Sequence, residues 1–117
     1  MDGFSITTSA VGYLNSVAIE HKGEKKKMTA ELSLLSGPGA KVKYVKASFS
    51  VVGEQAQTAI SVASRAREDA GKVLVSLVAD AVPDVMWNEG VNEAFLAGRL
   101  TFVKSVKADG DVIFQSK

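Results

Sequence analysis

No cysteine occurs among the 117 residues, so the chain holds neither a disulfide framework nor a thiolate zinc site. His21 is the only histidine, which rules out a histidine-rich metal centre. Prolines number two and glycines ten, with no low-complexity tract, so disorder is expected only in the first and last few residues. No apolar run approaches the roughly 18 residues of a membrane helix, and Met1-Asp2-Gly3-Phe4 lacks the basic and apolar regions of a signal peptide. The expectation is a soluble cytoplasmic protein with no membrane association. An excess charge of either sign is also missing, the net value being +1.

What is present is a modest apolar content, 46%, suited to one domain spanning residues 1–117. The small net charge hides an uneven distribution. Between His21 and Lys46 stand seven lysines (Lys22, Lys25, Lys26, Lys27, Lys41, Lys43 and Lys46) against Glu24 and Glu31. Asp80, Asp84, Glu89 and Glu93 follow later with no basic residue among them. Such asymmetry supplies a basic face for a polyanion, although a lysine-rich solvated loop has the same composition.

Phe4 to Ile19 is rich in Thr, Val, Tyr and Ile and predicts a long first strand with a bulge or bend at Gly12. His21 to Lys27 is polar, contains Gly23 and predicts a loop. Met28, Ala30, Leu32 and Leu34 recur at period two and predict a second strand ending at Ser36-Gly37-Pro38-Gly39. Val45, Ala47, Phe49 and Val51 do the same for a third, with Tyr44, Lys46, Ser48 and Ser50 facing out. The pattern then changes. Ala56, Ala59, Ile60, Ala63, Ala66 and Ala70 recur at steps of three and four, the signature of a helix with a small-residue face, and Gly71 stands where a left-handed cap would end it. Val73 to Val78 and Leu100 to Val106 predict strands four and five, separated by a long acidic loop. Asp109-Gly110 predicts a tight hairpin into a sixth strand at Val112 to Phe114. Phe49, Phe102 and Phe114 are assigned to the core, Phe95 is left unassigned, and Leu35 and Val103 are read as outward apolar residues.

Three strands, one helix and two or three further strands is the order of the OB-fold, a Greek-key barrel whose end is plugged by a helix between strands three and four. The fold class expected is therefore all-β with one helix. A generic α+β sheet with a helix on one face is the competing architecture.

The centre of the chain, from Tyr44 to Ala79 with its run VKASFSVVGEQAQTAISVASRAREDAGKVLVSLVA, resembles the strand-helix-strand centre of bacterial single-stranded-DNA-binding proteins. More closely, VGYLN (Val11 to Asn15), VVGEQAQTAI (Val51 to Ile60) and GKVLVSL (Gly71 to Leu77) resemble a little-characterised family of small replication-associated proteins carried by integrative and conjugative elements and plasmids. The resemblance implies a role in replication or transfer of a mobile genetic element. Its motifs are structural rather than chemical. Housekeeping single-strand binders end in an acidic tail that recruits partners, whereas this chain ends Asp111-Val112-Ile113-Phe114-Gln115-Ser116-Lys117. Recruitment through such a tail is not expected.

Nothing in the sequence composes an enzyme site. His21 has no cysteine partner, and the carboxylates Asp80, Asp84, Glu89 and Glu93 are spread along the predicted loop rather than gathered for a metal. Gly37-Pro38-Gly39 followed by Lys41 lacks the ending of a phosphate-cradling loop and reads as a turn. No cofactor and no metal are called for.

Single-strand binding needs cations along the phosphates and aromatic faces for the bases. Lys22, Lys25, Lys26 and Lys27 in the first loop, with Lys43 and Lys46 on strand three, are the candidate cations. Tyr44, Tyr13 and Trp87 are the candidate platforms, Trp87 being alternatively a core or interface residue. Arg99 either contacts phosphate or caps a neighbouring carboxylate. The function expected is low-specificity binding of single-stranded DNA by a homo-oligomer, dimer or tetramer, that serves a primase, helicase or polymerase. A protein-protein adaptor on the same scaffold is the alternative.

Overall fold

Met28, Ala30, Leu32 and Leu34 are buried while Thr29, Glu31 and Ser33 between them are not, so the period-two stretch forms a strand with one face on the core. The same holds for Ala47, Phe49 and Val51. The computed structural model describes residues 6–36, 43–88 and 90–116. Its elements are β1 (Ile6–Lys22), β2 (Lys25–Ser36), β3 (Lys43–Val51), α1 (Glu54–Asp69), β4 (Val73–Asn88), β5 (Val91–Ala108) and β6 (Asp111–Gln115). The turn expected at Gly37-Pro38-Gly39, with Lys41, lies outside the described residues.

β1 pairs antiparallel with both β2 and β4, β2 with β3, and β4 with β5. A parallel pairing of β3 with β5, Ala47 opposite Leu96 through Val51 opposite Leu100, closes the ring. The circuit β1-β2-β3-β5-β4-β1 with one helix between β3 and β4 is the OB-fold, and β6 adds a strand on the outside of β5. α1 lays Ala56, Ala59, Ile60 and Ala63 on the core and packs chiefly on β5. Alanines on that face let the helix backbone approach the barrel closely.

Three expected features are corrected by the pairing. The polar loop His21 to Lys27 is a tight hairpin: Gly23 and Glu24 turn the chain, with Lys22 opposite Lys25 and Glu20 opposite Lys27. Gly23 takes φ 61°, a conformation open to glycine and strained for other residues, so a two-residue turn suffices. The long acidic loop is likewise strand. β4 and β5 run on as a hairpin to Asn88 opposite Val91, so Trp87 lies in β4 opposite Asn92 and Arg99 lies inside β5. Finally, α1 ends not on a left-handed Gly71 but on Ala70, which is already extended (φ −95°, ψ 149°).

The bulge in β1 is also displaced, from Gly12 to Asn15, where the register with β2 jumps from Leu14–Leu32 to Ser16–Glu31. Gly12 serves another purpose. It is paired to Leu34 on one side and Val75 on the other, and a Cβ there would sit 2.7 Å from the Ser33 carbonyl oxygen. At this point β1 comes closer to β2 than a side chain permits.

β5 reverses two burial assignments. Leu100, Val103 and Val106 are all fully buried, at steps of three, while Phe102 is 37% exposed. The cause is a pair of bulges: Ser76–Ser105 is followed by Leu77–Val103, and Val78–Phe102 by Ala79–Leu100, so Lys104 and Thr101 are each extra. Each extra residue flips the alternation. Val103 therefore points inward and Phe102 outward, while Phe49 is buried as expected and Phe114 packs half-buried against the core.

The bulged stretch has a second consequence. The free side of β5 is covered by β3 at residues 96–100 and by β6 at residues 105–108, which leaves the segment between them without a strand. Gln55 of α1 fills the gap with both ends of its amide: Nε2 donates to the Val103 carbonyl at 2.7 Å, and Oε1 accepts from the Val103 N–H at 3.0 Å. The Val52 N–H donates to the Leu100 carbonyl and the Ser116 N–H to the Lys104 carbonyl, so the interrupted ladder is satisfied piecemeal.

Candidate nucleic-acid interface

Outward residues of β2 and β3 make one surface, with Ser33 opposite Lys46, Glu31 opposite Ser48 and Leu35 opposite Tyr44. β1 joins it through Tyr13, which is opposite Ser33. The rings of Tyr13 and Tyr44 lie 6.3 Å apart, tilted by 44°, an arrangement that favours aromatic pairs. The Lys72 ammonium stands 5.6 Å from the Tyr13 centroid, within cation–π range. Tyr44 is 61% exposed. These rings and Lys72 line a cleft of about 300 Å³, together with Asn15, Ser33 and Arg67.

The bulge at Asn15 organises this end of the face. It frees the Leu14 carbonyl, which accepts from Arg67 Nε at 2.8 Å and ties the last turn of α1 to β1. It also turns the Asn15 side chain across β2, where Nδ2 donates to Ser33 Oγ at 2.9 Å. Asn15 thereby stands between the tyrosine cleft and a second one, of about 340 Å³, lined by Glu31, Lys46, Ser48 and the half-buried Phe95. Phe95 reaches this position because β3 and β5 run parallel, which sets it beside Lys46. The two clefts follow β2 from Ser33 to Glu31, a step of about 7 Å along a strand.

The expected cations separate. Tyr44 and Lys46 share the outward parity of β3, Tyr44 lining the tyrosine cleft and Lys46 the Phe95 cleft. Lys25 and Lys27 share the outward parity of β2, but Lys27 lies six residues from Ser33, about 20 Å along the strand. Lys26 departs from the expected surface. It has inward parity beyond the barrel's end and lines a groove against α1 with Met28, Glu54 and Gln57. Arg99 pairs with a carboxylate: Nη2 is 3.4 Å from Asp80 Oδ2, and Asp80 also accepts from Thr7 Oγ1 at 2.8 Å. Lys22, Lys43 and Trp87 are described through their backbone alone. Asp80 opposes Arg99 across the sheet and Asp84 opposes Phe95, and among the described residues no group of three or more His, Cys, Asp or Glu is close enough to hold a metal.

Asn15, Arg67, Lys72 and Phe95 are the site residues that sequence reasoning missed. Lys72 carried a weak signal, a lysine between the Gly71 stop and β4. The other three depend on the bulge and on the parallel closure, which no local pattern announces.

Across its whole length, residues 1–117, the chain matches the family model of a protein of unknown function, DUF3577. The chain belongs to the DUF3577 family. No curated protein matches it at the level of sequence. Among solved structures, this DUF3577 chain is similar to the mitochondrial single-stranded DNA binding protein Rim1 from S. cerevisiae, at 20% identity over 95% of this chain and 99% of that one, with a TM-score of 0.46. That likeness is loose, and the OB-fold assignment of this DUF3577 member rests on its strand pairings.

Proposed function

We propose that this DUF3577 protein is a single OB-fold domain that binds single-stranded DNA without catalysing a reaction and without a cofactor. The observation that carries the reading is the pair of adjoining clefts along β2, each with an aromatic wall and separated by the Asn15 side chain. Bases stack on such walls irrespective of sequence, and Lys46, Lys72, Lys25 and Lys27 stand along the same surface for the phosphates. Affinity comes from stacking and from counterion release, so most of it is indifferent to sequence. The resemblance of VGYLN, VVGEQAQTAI and GKVLVSL to replication-associated proteins supports a cytoplasmic role in replication or transfer of a plasmid or other mobile genetic element, alongside a primase, helicase or polymerase.

Fluorescence anisotropy against labelled oligo(dT) and duplex DNA at two salt concentrations tests this. Oligo(dT) should bind more tightly than duplex and weaken with salt. Replacing Lys25 and Lys27 together by Ala should flatten the slope of log K against log salt by roughly 1.4, about 0.7 per contact, while Lys26→Ala leaves it unchanged. Equal affinity for both DNA forms, or none for either, would sink the reading.

A second reading is favoured by β6. It pairs with β5 alone among the described strands, and Val112 and Ile113 on it are exposed. An adaptor or self-assembling OB domain would use that edge, and a homo-oligomer, dimer or tetramer, is proposed alongside DNA binding.

A further inference from the structure

We infer that the cleft between Asn15 and Phe95 selects a base carrying an exocyclic amine, cytosine first, at one position of the bound strand. The inference rests on the single-strand reading above and adds a base preference to it. Glu31 lies in the middle of the β2–β3 surface, with Lys27 towards one end and Tyr44 towards the other, and Lys46 lines the cleft beside it. A carboxylate there repels a phosphate, so the backbone must pass on either side of it and turn a base towards it. Phe95 supplies the stacking wall, and the volume of about 340 Å³ is ample for one base.

Lys46 and Ser48 also line the cleft, Lys46 on the side of the adjoining phosphate, and the acceptors Glu31 and Asn15 decide which base. Glu31 Oε2 is engaged, at 3.4 Å, by the Ser16 hydroxyl, which orients the carboxylate from the β1 side. An ionised carboxylate offers only acceptors. Asn15 has its amide NH₂ on Ser33 Oγ, so its carbonyl oxygen is the end left for other donors, and it adds a second acceptor beside the first. Cytosine N4 is a donor and pairs with a carboxylate, whereas thymine presents its O4 acceptor at the same place. Thymine would set oxygen against oxygen. Glu31 is exposed and no part of the core, and its one described contact, with Ser16, leaves Oε1 open to the cleft.

The test is a competition experiment with the intact protein, in which unlabelled oligo(dC) and oligo(dT) of equal length displace a labelled mixed-sequence strand. Oligo(dC) should compete about tenfold better, within what one base-edge contact supplies. Glu31→Gln should bring the two within about twofold of each other while oligo(dT) binds as well as before or better, because a repelling charge is gone. Single strands that bind natively with no preference for dC, or a preference that survives in Glu31→Gln, overturn the base pocket and leave single-strand binding standing. Absence of binding by either oligomer removes both. Circular dichroism on Glu31→Gln confirms that the fold is kept, so a change in preference is read from the pocket.

Discussion

Tyr44 and Tyr13 look alike in the sequence and differ in what the structure leaves open. Tyr13 spends its ring on Tyr44 and on the Lys72 ammonium, so it positions the platform, while Tyr44 is the ring with a face to offer. Tyr44→Ala should therefore cost about 1 to 3 kcal/mol of single-strand affinity with little loss of stability, measured by anisotropy titration beside a thermal melt. Undiminished binding by a folded Tyr44→Ala protein would discard stacking at this cleft. The outward parity of Tyr44 and Lys46 was legible because β3 alternates without a bulge. Phe95 was not, since its place beside Lys46 exists only after β3 and β5 have met in parallel. Asn15 was hidden in another way: a bulge three residues beyond the expected Gly12 changes which side chain crosses to β2.

At the scale of the element, β1 and β5 show where period-two reading stops working. Strands β2 and β3 keep strict alternation, and their inward residues follow directly from the spacing. In β5 two bulges replace alternation by burial at Leu100, Val103 and Val106, and the exchange of Phe102 with Val103 follows from them. The bulges are defined by the register against β4, and the backbone groups they free are taken up by Gln55, Val52 and Ser116, so a local window has no access to them. The helix, by contrast, was readable from its alanines. Its end was not, because extended Ala70 leads directly towards β4 and makes a left-handed cap unnecessary. Gly12 supplies the prediction at this scale. Gly12→Ala places a methyl against backbone on β2 and should destabilise the barrel by about 1 to 3 kcal/mol, the usual cost of overpacking, seen as a lower denaturant midpoint at unchanged m-value. A wild-type midpoint would mean that β1 can relax away from Ser33.

For the whole molecule, five strands close on one another, and the sixth leaves an edge. Val112 is 52% and Ile113 40% exposed on β6, an edge that invites pairing with another chain. Light scattering at micromolar concentration should return a multiple of the 12.3 kDa chain mass, and lysine at both Val112 and Ile113 should return the monomer. A native protein found at the chain mass removes self-assembly through β6. Because the lysine face and the β6 edge are separate, the paired variant should retain its affinity for single strands per chain, apart from any gain from multivalency.

The Gln55 clamp on Val103 gives the helix a reporter of its own. Gln55 stands in for a missing strand, so the Val103 amide is shielded only while α1 is seated on the barrel. Hydrogen exchange at that one amide then measures how often the helix lifts, whereas amides in the β1–β4 ladder measure how often the barrel itself opens. If the helix lifts first, Val103 exchanges faster than its fully buried side chain suggests, and Gln55→Leu makes it faster still while the β1–β4 amides keep their rates.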